Sequence, residues 1–202
     1  MNCLNQEDDW LTEQLKPTII PQSSQPYNWT VDDITLHYGG QFGQPLYIDQ
    51  EIFQGQLENG FFIEAGADDF EKDSNSLFFE LERGWTGLLV EPNPTVYPKG
   101  LHRHRRALSA TTCLSTQPHP ETVEFAGKGL WSGGMAGISP EKIEDSYQMQ
   151  CFPLYSLLLA SAGHVTVNYL SLDIEGAEFE VLKTIPWDKV DIEVRRGLDC
   201  KA

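Results

Sequence analysis

The stretch GFFIEAGADD at residues 60–69 decides the fold, because it joins a run of apolar residues to an acid and a tight turn. A short apolar run such as FFIEA is typical of a strand buried on both faces of a sheet. Glu64 lies near its end, and Gly66 and Ala67 follow. An acid at this place indicates one of two things: a ligand with hydroxyls or a positive charge, or a capped turn without a ligand.

The same pattern recurs along the chain. Further apolar runs that predict strands are TGLLVEPNP at 86–94, RRALSA at 105–110, NYLSL at 168–172 and VDIEV at 190–194. Between the first two strands, the sequence at 74–84 predicts a helix that Ser74 caps and Gly84 ends. Strands that alternate with helices predict a parallel α/β sheet with helices on both sides.

Acids follow three of these strands: Glu64, Glu91, and Asp173 with Glu175. In open parallel sheets, ligands bind outside the carboxyl ends of the strands, near the switch in strand order. If the strands at 61, 87 and 169 are neighbours, the acids converge on one crevice. Glu91 then either accepts hydrogen bonds from the two hydroxyls of a ribose or is only a turn acid before Pro92.

The first turn indicates what kind of ligand fits. It lacks the glycines of the G-x-G-x-x-G pattern and is acidic, which disfavours the pyrophosphate of NAD. S-adenosylmethionine fits better, because it has ribose hydroxyls, a sulfonium and an ammonium but no phosphate. Asp173 and Glu175 could hold its amine, orient an acceptor or take a proton from a hydroxyl. They could equally cap the following helix; a metal site is disfavoured, since no histidine accompanies them.

Composition limits the number of domains and the kinds of partner that the chain can have. The chain has 202 residues and a net charge of -16, which suits one domain and disfavours nucleic acid as a partner. The sequence has no CxxC pair that would indicate a zinc site, and it has no apolar run long enough to span a membrane. The basic cluster at 102–106 predicts a solvated face or an anion site. The glycine-rich segment at 127–142 is predicted to lie over an edge or a site.

Residues 61–94 and 168–183 together resemble the FkbM-type methyltransferase family, and more narrowly its Star-like branch. The residues that carry the resemblance are the motifs E-x-G-A, S-N-S-L, G-W-x-G-L-L-V-E-P and L-S-L-D-I-E-G-x-E. The resemblance implies a Rossmann-like sheet and S-adenosylmethionine as the donor. The cofactor-binding residues that it implies are Glu64, Gly66, Ala67, Ser76, Glu91, Ser109 and Asp173. Asp173 and Glu175 would be catalytic, in methyl transfer to an oxygen.

Three departures from the family accompany the resemblance. Phe70 stands where the family has glycine, and it either obstructs the methionine end or only shifts the turn. The family's sheet continues past VDIEV, so this sheet is expected to lack its last strands, which leaves an exposed edge. The Star-like resemblance implies a transmembrane anchor before the N-terminal arm, and this sequence has none there, so the chain is expected to be either a fragment or a soluble form. We therefore predict an arm at 1–59, a methyltransferase domain at 60–195 and a divergent tail at 196–202.

Two functions follow as expectations. One is an S-adenosylmethionine-dependent O-methyltransferase that acts on a hydroxyl of a small molecule or a glycan. The other is an inactive methyltransferase-like module in secretory-pathway trafficking, whose partner is a client protein. The resemblance implies the secretory pathway, whereas a complete soluble form would be cytoplasmic.

Overall fold

The computed structural model of the chain describes residues 4–126, 134–135, 146–163 and 166–197. The helices are α1 (Asp9–Leu15), α2 (Gln44–Tyr47), α3 (Leu77–Arg83), α4 (Tyr97–Leu101), α5 (Leu154–Ala162) and α6 (Glu178–Thr184). Short 3-10 turns cover Lys16–Thr18 and Ile34–His37, and a π-helical turn covers Ile48–Ile52. None of the helices in the described ranges has the length and apolar character that crossing a bilayer requires.

A five-stranded parallel sheet forms the centre of the domain. Its strands are β1 (Phe61–Ala65), β2 (Thr86–Val90), β3 (Leu108–Ala110), β8 (Thr166–Leu172) and β9 (Asp191–Gly197). They lie in the order β3-β2-β1-β8-β9, and every pair is parallel. The chain builds outward from β1 on one side and then returns to its other side, so the switch in strand order lies between β1 and β8.

The two faces of this sheet bury separate apolar cores, which confirms the α/β architecture with helices on both sides. On one face Ile63 and Leu88 pack with residues of α1, α5 and α6. On the other face Phe62 and Tyr169 pack with Phe79 of α3 and with α4. All five residues of β1 are buried, as the apolar run at 61–65 predicts.

The N-terminal arm lies against this domain. Leu11 and Leu15 of α1 belong to the same apolar core as α5. Farther along the arm, Ile20 forms an antiparallel bridge with Ser109 of β3, with N···O distances of 2.8 and 3.0 Å. The arm therefore extends the parallel sheet by one bridge at its β3 edge.

A second sheet, which the sequence does not predict, is inserted between β3 and α5. Its strands are β4 (Cys113–Leu114), β5 (Glu121–Ala126), β6 (Gly134–Met135) and β7 (Ser146–Phe152), in the order β4-β7-β5-β6. A disulfide joins Cys113 to Cys151, which face each other where β4 pairs with β7. Apart from β6, the glycine-rich segment at 127–142 lies outside the described residues.

The basic cluster at 102–106 is not a solvated face, so that prediction is wrong. Arg103 and Arg105 are buried, at 9% and 4% exposure. Arg103 lies 2.6 Å from Glu71, and Arg105 lies 2.8 Å from Glu80. Buried arginines persist where carboxylates neutralise them, and a sequence does not show which distant acids will do so.

Candidate functional site

The carboxyl ends of β1, β2 and β8 open into one cavity of about 200 Å³. Glu64, Glu91, Asp173 and Glu175 all line it, together with the turn at residues 66–68. The acids thus converge at the switch in strand order, as the sequence predicts. The second sheet supplies the facing wall, whose apolar members are Cys113, Leu114, Phe125 and Met135.

Gly66 is required by the close packing of the turn. Its amide and that of Ala67 donate to the Val90 carbonyl at 2.9 and 3.2 Å, which ties the turn to β2. Its φ is +80°, and a Cβ at this position would lie 1.9 Å from the carbonyl oxygen of Asp173. Only glycine allows the ends of β1 and β8 to approach so closely. Packing therefore explains the glycine at position 66, whether or not a ligand binds.

Glu64 is bonded to the loop that precedes α3. Its Oε2 accepts from the Ser74 hydroxyl at 2.8 Å, and Ser76 donates to the same oxygen through both its hydroxyl and its amide. Its Oε1 accepts from the Asn75 amide at 2.7 Å. Ser76, rather than Ser74, stands at the N-cap position of α3. The carboxylate is 3% exposed and is engaged by protein groups at both oxygens.

Arg105 links the loop before α3 to α3 itself. Its Nε donates to Glu80 at 2.8 Å, and its two terminal nitrogens donate to Ser74 and Ser76 at 3.2 and 3.0 Å. It also donates to the Phe70 carbonyl at 2.5 Å. The guanidinium therefore holds the residues that hold Glu64. We define Glu64, Ser74, Ser76, Glu80 and Arg105 as the buried polar network.

Glu91 has different surroundings. Its Oε1 accepts from the Asn93 amide at 2.7 Å and its Oε2 from the Asp68 amide at 2.9 Å. Burial raises the pKa of Glu91 to about 7, against these hydrogen bonds and with a smaller contribution from the charge of Asp68. Burial and the charge of Asp69 likewise raise the pKa of Asp68 to about 6. Both carboxyls therefore bind a proton at higher pH than an exposed acid does.

Asp173 and Glu175 belong to the turn that leads from β8 into α6. The Asp173 amide donates to the Ala65 carbonyl at 3.0 Å, which anchors the turn beside β1. Glu175 adopts a left-handed conformation with φ of +59°. The carboxylate that accepts from the turn is that of Glu178, bonded to the amides of Ile174 at 2.8 Å and Gly176 at 3.3 Å. Asp173 and Glu175 both line the cavity.

Two of the predicted cofactor residues do not line the cavity. Ser76 lies behind Glu64 as part of the buried polar network. Ser109 is 3% exposed, and its hydroxyl lies 3.1 Å from that of Tyr97 on α4. At the end of β3 the cavity is lined by Thr112 instead. Their assigned roles at a cofactor stay predictions.

Phe70 does not obstruct the cavity. Its ring is 1% exposed and packs edge-on against Tyr97, with 5.7 Å between centroids. Its φ of +63° lies in the region that glycine adopts most easily, which accounts for glycine at this position in the family that the sequence resembles. The substitution therefore changes the core beside the turn and leaves the cavity open.

Sequence reasoning missed the pairing of the second sheet and the role of Asp68. It did predict that the glycine-rich segment at 127–142 lies over an edge or a site, and Met135 of that segment lines the cavity. Phe125 reaches the cavity from β5, whose pairing with β6 and β7 the sequence does not show. Asp68 was visible as an acid in the turn at 60–69, and its amide proves to bind Glu91. Across the described ranges, no three His, Cys, Asp or Glu side chains are placed to hold a metal ion.

The cavity at the switch in strand order thus combines the strand-end acids Glu64 and Glu91, the turn at Gly66, and the acidic turn of Asp173 and Glu175. Compared with known proteins, residues 64–197 match the family model described as the Methyltransferase FkbM domain. No curated protein and no solved structure matches the chain. The matched range begins at Glu64, ends with β9 and covers more than half of the sequence. The chain therefore belongs to the FkbM methyltransferase-domain family.

Proposed function

We propose that this domain is an S-adenosylmethionine-dependent O-methyltransferase. The observation that carries the proposal is Glu91, a buried carboxylate at the end of β2 that lines the cavity at the switch in strand order. Both of its oxygens accept from backbone amides, which fixes their orientation. A carboxylate oxygen has room for more than one hydrogen bond, so the two hydroxyls of a ribose can bind there.

The other lining residues fit the rest of this donor. The acidic turns at Asp68 and Asp173 suit a sulfonium and an ammonium and do not suit a pyrophosphate. The apolar wall of Phe125 and Met135 offers adenine a surface without charge. When bound, the donor would supply an activated methyl group. The role of the protein would be to align donor and acceptor and to exclude water.

The acceptor that fits is a neutral hydroxyl of a small molecule or a glycan. Asp68, Asp73, Asp173 and Glu175 line the cavity, and Lys72 is the one basic residue among its described lining. An anionic acceptor would meet this negative field. Asp173 and Glu175 are the candidates to orient the hydroxyl and to accept its proton.

We further propose that the protein works in the secretory pathway. The disulfide between Cys113 and Cys151 is typical of oxidising compartments. It clamps β4 to β7, and Cys113 itself lines the cavity. The cavity wall would therefore be held by a bond that reducing compartments do not maintain.

A second candidate function is an inactive module that binds a client protein. The observation that favours it is an apolar surface at α2, where Phe42, Tyr47 and Ile52 line one surface pocket and are 74%, 63% and 48% exposed. Apolar side chains grouped in this way mark interaction surfaces. Such a module would keep this surface whether or not the cavity binds the donor.

Calorimetric titration of the protein with S-adenosylmethionine and S-adenosylhomocysteine tests the first proposal. We expect micromolar binding, and a Glu91→Gln variant should bind at least about tenfold more weakly, because the amide keeps one acceptor oxygen and turns an N–H₂ donor toward a backbone amide. Glu180→Gln is the matched control, since Glu180 pairs with Lys183 on an exposed helix face. If a well-folded protein gives no heat, the donor proposal is wrong and the client-binding module is favoured.

A further inference from the structure

Lys72 is the one basic residue among the described lining of the cavity. It lies in the loop between β1 and α3, and its side chain is 48% exposed. Its ammonium lies 4.0 Å from the carboxylate of Asp73, which belongs to the same lining. An ion pair between two half-exposed side chains adds little stability, so the carboxylate of a ligand can compete with Asp73 for the ammonium.

The strand order separates the loop of Lys72 from the place proposed for adenine. The loop is tied to the end of β1, because the Asn75 amide donates to Glu64 at 2.7 Å. Cys113 of the apolar wall follows β3, and β2 with Glu91 lies between β3 and β1. A ligand whose ribose binds Glu91 and whose adenine lies against the wall therefore extends its other end toward β1 and Lys72.

That other end of the proposed donor is an amino acid, which carries an ammonium and a carboxylate. Asp73, Asp173 and Glu175 line the cavity and suit the ammonium. The same acids repel the carboxylate, which therefore needs a cation. Burial raises the pKa of Asp68, and the charge of Lys72 works against that rise, so this ammonium already acts on the acidic turn after β1.

We propose that Lys72 is a binding residue that pairs with the carboxylate in the amino acid part of the donor. This inference rests on the proposed function and deepens it. Lysine is a point charge on a flexible stem, so it can follow a carboxylate without a fixed geometry. The one cation of the described lining then belongs to the donor, and the acids are left to the ammonium of the donor and to a neutral acceptor.

Decarboxylated S-adenosylmethionine isolates this contact, because it keeps the adenosine, the sulfonium and the ammonium and lacks only the carboxylate. In calorimetric titrations we expect Lys72→Met to raise the Kd for S-adenosylmethionine about tenfold, the effect of one lost charge-assisted contact. The Kd for the decarboxylated compound should stay within twofold of the wild type or fall, since a repelling charge has been removed. Lys72→Arg, which keeps the cation, should bind S-adenosylmethionine within about threefold of the wild type.

Lys99→Met is the matched control. Lys99 is not part of the described lining, yet its charge also works against the rise that burial causes in the pKa of Asp68. The control thus removes a charge near the site without removing the contact, and both Kd values should stay within twofold of the wild type. If Lys72→Met changes the two Kd values by the same factor, or changes neither, this inference is wrong and the donor proposal stands. If the folded wild type does not bind S-adenosylmethionine, both are wrong.

Discussion

Glu64 and Glu91 end neighbouring parallel strands, line the same cavity and are almost equally buried, at 3% and 6% exposure. Their surroundings nevertheless differ. Glu64 accepts four hydrogen bonds from the loop before α3 and is tied through Ser74 and Ser76 to Arg105. Glu91 accepts two backbone hydrogen bonds, and burial raises its pKa to about 7.

The difference teaches that an acid at a strand end has two possible uses. Glu64 is part of the wall: it organises the residues that shape the cavity. Glu91 keeps acceptor capacity for a ligand, and the burial of its charge costs stability. Three substitutions test which residues shape the cavity and which one is kept for a ligand. A fourth measurement determines where the ligand binds.

Replacing Arg105 with alanine should have the largest effect. It would leave the buried carboxylate of Glu80 without its cation and remove the donor that holds the Ser74 and Ser76 hydroxyls against Glu64, so we expect the free energy of unfolding to fall by about 3–5 kcal/mol. Urea unfolding measures it. Lys183→Ala, which removes an exposed pair with Glu180, should cost about 0.5 kcal/mol or less. Equal losses in the two variants would show that the buried polar network does not hold the wall.

Replacing Gly66 with alanine should come next. Its Cβ would meet the Asp173 carbonyl, at 1.9 Å in the present geometry, and its φ of +80° would be strained. We expect a loss of about 2–4 kcal/mol from strain and overpacking together. Gly163→Ala is the control, because its φ is also positive but nothing lies within 4 Å of a Cβ there. A loss no greater than that of the control would mean that the two turns separate easily.

The smallest expected effect concerns the pH dependence of stability. Because the folded pKa of Glu91 is about 7 and its ordinary value is 4.5, the folded protein binds more protons between these values. Stability at this site is therefore highest at low pH and falls as pH rises from 5 to 8. We expect Glu91→Gln to remove roughly 1–2 kcal/mol of that fall. Parallel pH profiles for both proteins would contradict the raised pKa.

The strand-end acids could be predicted because their information is local. An apolar run followed by an acid and a turn is visible at Glu64 and Glu91, and parallel strands bring such ends to one edge. The family motifs in the sequence supported the same sheet. What each acid does there could not be predicted, because the partners of Glu64 include Ser76, whose hydroxyl also binds Arg105, distant in sequence.

The second sheet and the buried arginines escaped prediction for the same reason. β5 pairs with β7 across a segment much longer than a two-residue hairpin turn, and β4 meets β7 through Cys113 and Cys151, which are 38 residues apart. Arg105 lies in a run of bases that resembles a solvated face, and only tertiary contact with Glu80 neutralises it. Long-range pairing leaves no periodic pattern in the sequence.

A crystal structure with S-adenosylhomocysteine tests the central claim most directly, namely that the cavity at the ends of β1, β2 and β8 binds the methyl donor. The account predicts the ribose hydroxyls within hydrogen-bond distance of the Glu91 carboxylate, with adenine against the wall formed by Phe125 and Met135. A ligand bound elsewhere, or an empty cavity at saturating ligand concentration, would contradict it.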